Sequence, residues 1–252
     1  MKVQSHYLFY MVLLLFAGGC STAPEGQLSE SRDPYEDGNR KVYAFNMGVD
    51  TYVLEPVASS YLENVPPRGQ TAIGNHVRWA GMPSTAINST LQGKFENAGL
   101  ATLNFLVNGL TLGFADLTED DAPISKADFG QTLAAADVPE GSYLMVPLLG
   151  PRTTRSLAGT VVDTVLDPVG MLAAGSGARA LSTMQAPLGA VTFRADNFDA
   201  FNDVKYNAID PYARTRSIYL QSRAGMTGQS MDRGIGASDS DDEFDAFFNE
   251  AQ

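Results

Sequence analysis

Apolar positions along this chain fall into short clusters at helical spacing, each closed by proline or glycine. Asp33-Pro34 opens the first cluster, pairing a residue suited to capping free N–H groups with one suited to a first turn. Val42, Phe45 and Val49 follow on one helical face, and Tyr52 and Val53 continue it. Pro56 restarts the chain into a short helix through Leu62, and Val65-Pro66-Pro67 breaks it. The pattern predicts a helix from Arg68 to about Ala80, stopped by Gly81 and Pro83, and another from Pro83 to Leu91 that closes near Gly93. Lys94–Gly109 is the most apolar helix after the N-terminal segment. Leu100, Leu103, Val107 and Leu110 form its stripe, while Phe105 and Leu106 lie off it, so it needs burial by protein or by lipid. Gly109–Leu117 stays apolar but is interrupted by Gly109 and Gly113.

Further helices are predicted over Asp128–Ala136, Arg152–Val162, Pro168–Ala174, Ala190–Tyr206 and Pro211–Arg223. Tyr143–Leu149 is a short extended run between proline-containing turns. Period-two alternation is scarce, and the chain carries no internal repeat. The expected fold is therefore mainly α, built from many short helices.

Ahead of this domain, Lys2 precedes an apolar run from Tyr7 to Phe16, too short for the roughly 20 residues that a spanning helix needs. Ala17-Gly18-Gly19 and then Cys20 complete the pattern of a bacterial lipoprotein signal, with Ala17 where leucine is usual. Residues 1–19 are read as the signal peptide and Cys20 as the lipid attachment site, its thiol taking the diacylglycerol. Ser21, where an aspartate would indicate retention at the inner membrane, favours the outer membrane. Residues 20–32 are read as a flexible tether, 33–225 as the helical domain, and 226–252 as an acidic disordered tail with no basic residue after Arg233. Phe244, Phe247 and Phe248 in that tail are either scattered aromatics or one face of a partner-binding helix.

Composition narrows the chemistry. Seventeen basic against 29 acidic residues, for a net charge of -12, exclude a nucleic-acid partner. A single cysteine excludes a disulfide framework and a multi-thiolate metal site. His76 alone would outlast removal of the signal, and with Arg78 near it and no triad partner it reads as a surface or interface histidine. No phosphate-binding loop, nucleophile elbow or zinc signature occurs. Asp239, Asp241, Glu243, Asp245 and Glu250 approach the offsets of a calcium loop, but Phe244 stands where glycine makes its turn. No catalytic residue, metal or cofactor is expected, and the chain is not expected to be an enzyme.

Ordered motifs carry a resemblance. Asp33–Asn46 (DPYEDGNRKVYAFN), then Leu54-Glu55-Pro56-Val57-Ala58, Phe105 with Asn108, Gly113-Phe114-Ala115-Asp116, Asp128–Leu133 (DFGQTL), Tyr143–Pro151 and Asp210-Pro211-Tyr212-Ala213 together resemble the MlaA (VacJ) family of outer-membrane lipoproteins. The resemblance covers roughly Asp33–Arg223 and explains Asp128-Phe129-Gly130 without any kinase chemistry. It implies a ring-like helical protein embedded in the inner, periplasmic leaflet of the outer membrane, surrounding an amphipathic pore beside porin trimers. Such a protein removes phospholipids that have strayed to the outer leaflet and passes them to a periplasmic lipid-binding carrier. The competing readings are a structural lipoprotein that scaffolds a porin or envelope complex, and a tethered hydrolase with a hidden nucleophile–base pair. Within the resemblance, Phe45 and Asn46 are candidates for setting the state of the pore, with Phe45 alternatively a plain core residue. Gly109, Gly113 and Phe114 are candidates for a mobile segment that gates or lines the lipid path, or alternatively for a tight helix–helix turn.

Overall fold

The structure, a computed structural model, describes residues 33–118, 124–165 and 176–227. The signal segment, Cys20, the tether, the helix expected over Pro168–Ala174 and the chain from 228 onward lie outside the described residues. Helix α1 spans Glu36–Val49 and passes through a π-helical turn, Asp50–Leu54, into α2, Glu55–Asn64. Pro56 sits in the first turn of the expected short helix, but no break precedes it. A proline crowds the carbonyl four residues back and cannot bond to it, and the wider π turn just before Pro56 accommodates both. Asp33 does not cap α1 with its side chain either: the residue at the cap is Tyr35, and the Asp33 carboxylate is buried among more distant partners.

Val65 is extended, as the residue before Pro66 must be, and α3 runs unbroken over Pro67–Leu91. The break expected at Gly81 and Pro83 does not occur; packing of α3 along α4 (Phe95–Asn108) and against α7 (Ser176–Asp196) outweighs one lost backbone bond. A 3-10 turn at Gly109–Thr111 follows α4, and α5 covers Phe129–Ala135 with Asp128 accepting the Gln131 N–H at 2.8 Å. β1 (Tyr143–Val146) and β2 (Gly150–Thr153) form an antiparallel hairpin that pairs Tyr143 with Thr153 and Val146 with Gly150. Arg152, expected in a helix, therefore lies in a strand, and α6 begins at Thr154 and ends at Val165. The long helix expected over Ala190–Tyr206 is divided among α7, α8 (Phe198–Asn202) and a second π-helical turn, Asp203–Asn207. α9 runs Pro211–Thr227, two residues into the segment read as tail.

Burial is inverted relative to a water-soluble domain. Among the described residues no leucine, isoleucine, valine or phenylalanine is buried. The interior is small and polar: Ala58, Ala98, Ala101, Asn39, Asn88, Asn104, Asn108, Ser89, Asp50 and Arg194. Tyr43, Tyr143, Met145 and Tyr212 form its one apolar cluster, with Tyr43 and Tyr143 each meeting the Tyr212 ring edge-on. In α4 the face turned inward carries Ala98, Ala101, Asn104 and Asn108, while Leu106 is 65% and Leu110, in the turn after it, 83% exposed. Of the apolar stripe read from the sequence, Leu103 and Leu110 are exposed and Leu100 and Val107 half-buried. No helix of the described residues is long and apolar enough to cross a membrane.

Candidate functional site

Side-chain amides fasten the motif residues to one another. Asn39 and Asn46 lie seven residues apart on α1, about 10.5 Å along a helix at 1.5 Å per residue. Asn39 donates to the Tyr143 carbonyl at 3.2 Å and accepts from the Met145 N–H at 2.8 Å. Asn46 repeats the pattern three residues further along, donating to the Val146 carbonyl at 3.0 Å and accepting from the Leu148 N–H at 2.8 Å. Three extended residues cover about 10 Å, so two helical turns and one strand segment are commensurate. Asn39 thereby takes backbone groups of β1, and Asn46 takes those at the hairpin tip. Leu148 has a positive φ of 63° at the hairpin tip, and the Asn46 clamp holds it there. Phe45, next to this clamp, is 54% exposed, which removes the reading of it as a core residue.

The Gly109–Leu117 segment is tied down at several points. Asn108 donates to Asp116 at 2.9 Å and accepts from the Leu117 N–H at 2.7 Å, and its own carbonyl accepts from Gly113 N–H. His76 is 3% exposed and so is not a surface histidine; its Nδ1 donates to the Leu112 carbonyl at 2.6 Å. The His76 ring stacks on Phe114 at 4.6 Å, Trp79 stacks on Phe105, and Trp79 Nε1 donates to the Phe105 carbonyl. Gly113 has a φ of 77°, and a Cβ there would overlap the Trp79 side chain. Gly109 is helical, with room for a Cβ in ordinary contact, so of the two glycines only Gly113 is sterically required. Leu110, Leu112, Phe114 and Leu117 all remain exposed around this turn.

A cluster of four charges joins the two π-helical turns. Asp50 receives Arg194 Nε at 2.8 Å and Lys205 Nζ at 2.7 Å, and Lys205 also reaches Glu55 at 2.7 Å. Arg194 lies over the rings of Phe198 and Phe201 at 4.9 and 4.8 Å. Lys205 and the Tyr206 hydroxyl hold the Glu55 carboxyl below its ordinary range. A second set fastens the start of the domain to α9: Asp33 accepts from Asn39, Tyr212 and Arg216, and Arg40 pairs with Asp210. Hydrogen bonding to Arg40 brings the Asp210 carboxyl down to about 2. In the DFGQTL motif burial pushes the Asp128 carboxyl up, but Arg223 at 2.7 Å and the hydrogen bonds from Gln131 together outweigh this and the net shift is downward. Gly130 of that motif lies against Gly159 of α6, where a Cβ would strike backbone.

Asp50, Arg194 and Lys205 were not singled out from the sequence. Asp50 interrupting an apolar helical face was the one local signal; its partners lie 144 and 155 residues away. No group of acidic, histidine or cysteine side chains fit for a metal ion is present among the described residues. These features define a class: a mainly helical protein with an apolar exterior and an interior held by amide clamps and ion pairs.

This chain belongs to the MlaA lipoprotein family, whose sequence profile matches residues 31–225. It is 28% identical over 229 residues to the intermembrane phospholipid transport system lipoprotein MlaA of Haemophilus influenzae, covering 88% of this chain and 90% of that protein. The MlaA of Escherichia coli K12 is 27% identical over 210 residues, 81% of each chain. A chain solved in work on the structural basis for maintenance of bacterial outer membrane lipid asymmetry superposes with a TM-score of 0.66 at 28% identity, covering 77% of this chain and 98% of that one. The family is one of lipid-transport lipoproteins, not of enzymes.

Proposed function

We propose that this chain is an outer-membrane lipoprotein that takes phospholipids which have strayed into the outer leaflet and passes them to a periplasmic lipid-binding carrier, preserving lipid asymmetry. In this reading Cys20 carries the acyl anchor, and the helical domain lies in the inner leaflet around an amphipathic pore beside a porin trimer. One observation carries it: no leucine or phenylalanine of the described residues is buried, while Asn39, Asn88, Asn104, Asn108, Asp50 and Arg194 are. Hydrocarbon outside and polar groups within suit a body sunk in one leaflet, and a polar path lowers the cost of moving a headgroup through it. Phe45 and Asn46 set the hairpin beside the path, and Gly109, Gly113 and Phe114 belong to a turn that lines it. Moving a lipid breaks no bond, so the chain needs no catalytic group.

The test is labelling of outer-leaflet phospholipid in a deletion strain and in the same strain complemented with this gene. Accumulation that complementation reverses supports transport. Unchanged outer-leaflet phospholipid with impaired porin assembly would instead assign a scaffold role.

A further inference from the structure

Six basic side chains of the described residues are wholly or partly withdrawn from solvent and bonded to carboxylates: Arg40, Arg155, Arg194, Lys205, Arg216 and Arg223. Arg152 is the exception. It is partly buried, its Nη1 donates only to the adjacent Pro151 carbonyl at 2.8 Å, and its Nε is buried with no partner. No carboxylate of the described residues pairs with it. A guanidinium drawn partly out of water, with its Nε unpartnered and no counter-ion beside it, has its charge uncompensated, which suits an anion supplied from outside the chain.

The surroundings indicate which anion. Arg152 lies on β2 directly across from Leu144, and the hairpin tip exposes Leu148 (73%) and Leu149. Asn46 and Asn39 hold the whole hairpin in place, so the site is built before the ligand arrives. A planar guanidinium takes a phosphodiester through two parallel N–H bonds, and leucines beside it take acyl chain. We propose that Arg152 is the headgroup subsite of this protein, binding the phosphodiester of a phospholipid whose chains lie along the hairpin leucines. The assignment rests on the phospholipid-transport reading but is tested by binding alone.

The experiment uses the full-length lipoprotein in neutral detergent and a phosphatidylethanolamine labelled on its acyl chain, with the matching labelled diacylglycerol as the phosphate-free probe. Wild type is expected to prefer the phospholipid. Arg152→Gln should lose about tenfold in phospholipid affinity, the worth of one charge-assisted contact, and nothing for diacylglycerol. Arg152→Lys, which keeps the charge and serves if the glutamine variant is poorly folded, should retain most of the preference. Equal phospholipid binding by wild type and Arg152→Gln overturns the proposal, as does an equal loss for both lipids, which would mark a packing role. Inorganic phosphate that binds wild type but not Arg152→Gln, with wild type showing no preference for the phospholipid over diacylglycerol, also overturns it in favour of a free-anion site. Binding through Arg152 in a chain whose deletion leaves outer-leaflet lipid unchanged would sink the transport reading and leave the subsite standing.

Discussion

Removing the Asn46 side chain isolates what the second amide clamp contributes. Asn46→Ala deletes two hydrogen bonds, to the Val146 carbonyl at 3.0 Å and from the Leu148 N–H at 2.8 Å. Each is worth about 0.5–1.5 kcal/mol net, so local opening of the hairpin tip should become easier by roughly 1–3 kcal/mol. In amide hydrogen exchange, resolved to single residues, that is roughly a 5- to 150-fold faster rate at Leu148. Met145 N–H, held by Asn39, is the internal control and should move little. Asn39→Ala should reverse the pattern and cost more, because Asn39 is buried and its orphaned partners cannot turn to water. Asn46→Asp keeps the acceptor for Leu148 but sets a carboxylate oxygen against the Val146 carbonyl, so it should open the tip despite its identical shape. Measurement in both detergent and bilayer adds a test of surroundings, since an unpaired N–H in hydrocarbon costs several kcal/mol. An unchanged Leu148 rate in Asn46→Ala, or a rise spread evenly over the helices, would refute the clamp.

Arg194→Met leaves Asp50 buried with only Lys205 opposite and should destabilise the domain by about 3–5 kcal/mol; a loss below about 1 kcal/mol in denaturant unfolding contradicts the cluster's role. Gly113→Ala forces a Cβ onto Trp79 at a φ of 77° and should cost roughly 1–3 kcal/mol, whereas Gly109→Ala should be neutral or mildly stabilising; equal effects would refute the assignment. Because the folded Asp210 carboxyl is held at about 2 against an ordinary 3.8, its stabilisation is complete above that ordinary value and is lost as pH falls towards about 2. Asp210→Asn should therefore flatten part of the acid limb of a thermal-melt series, and superimposable limbs would falsify the pairing with Arg40. Cys20→Ala should abolish membrane fractionation and complementation, and normal behaviour in both assays would sink the lipoprotein reading.

How far the fold was legible depended on the range of the interactions that decided it. Pro66-Pro67 was readable because its effect falls on Val65 next door. Pro83 was not, because the packing that carries α3 through it comes from α4 and α7. The extended run from Tyr143 was visible in its β-branched and aromatic residues, but Gly150-Pro151-Arg152-Thr153 has no alternation to mark it as a partner strand. Asn39 and Asn46 stood out as motif residues, yet their work depends on backbone 100 to 106 residues away. Nothing local told Arg194 from any other helical arginine.

Periodicity identifies an apolar face but carries no sign for inside or outside, and here that sign decides the energetics. A domain folding in water is driven together by leucines leaving it. Here Leu103, Leu106 and Leu110 of α4 and its following turn remain exposed after folding, and where the surroundings are hydrocarbon they gain nothing from being covered. Directional contacts must then select the arrangement: amides reading a strand edge, carboxylates reading arginines, glycine faces such as Gly130 on Gly159 admitting close approach. Such contacts are strict about geometry, and each loses most of its value when displaced by an ångström. That strictness accounts for the polar residues Asn39 and Asn46 in DPYEDGNRKVYAFN and Asp128 in DFGQTL, and it makes an arginine without a carboxylate conspicuous.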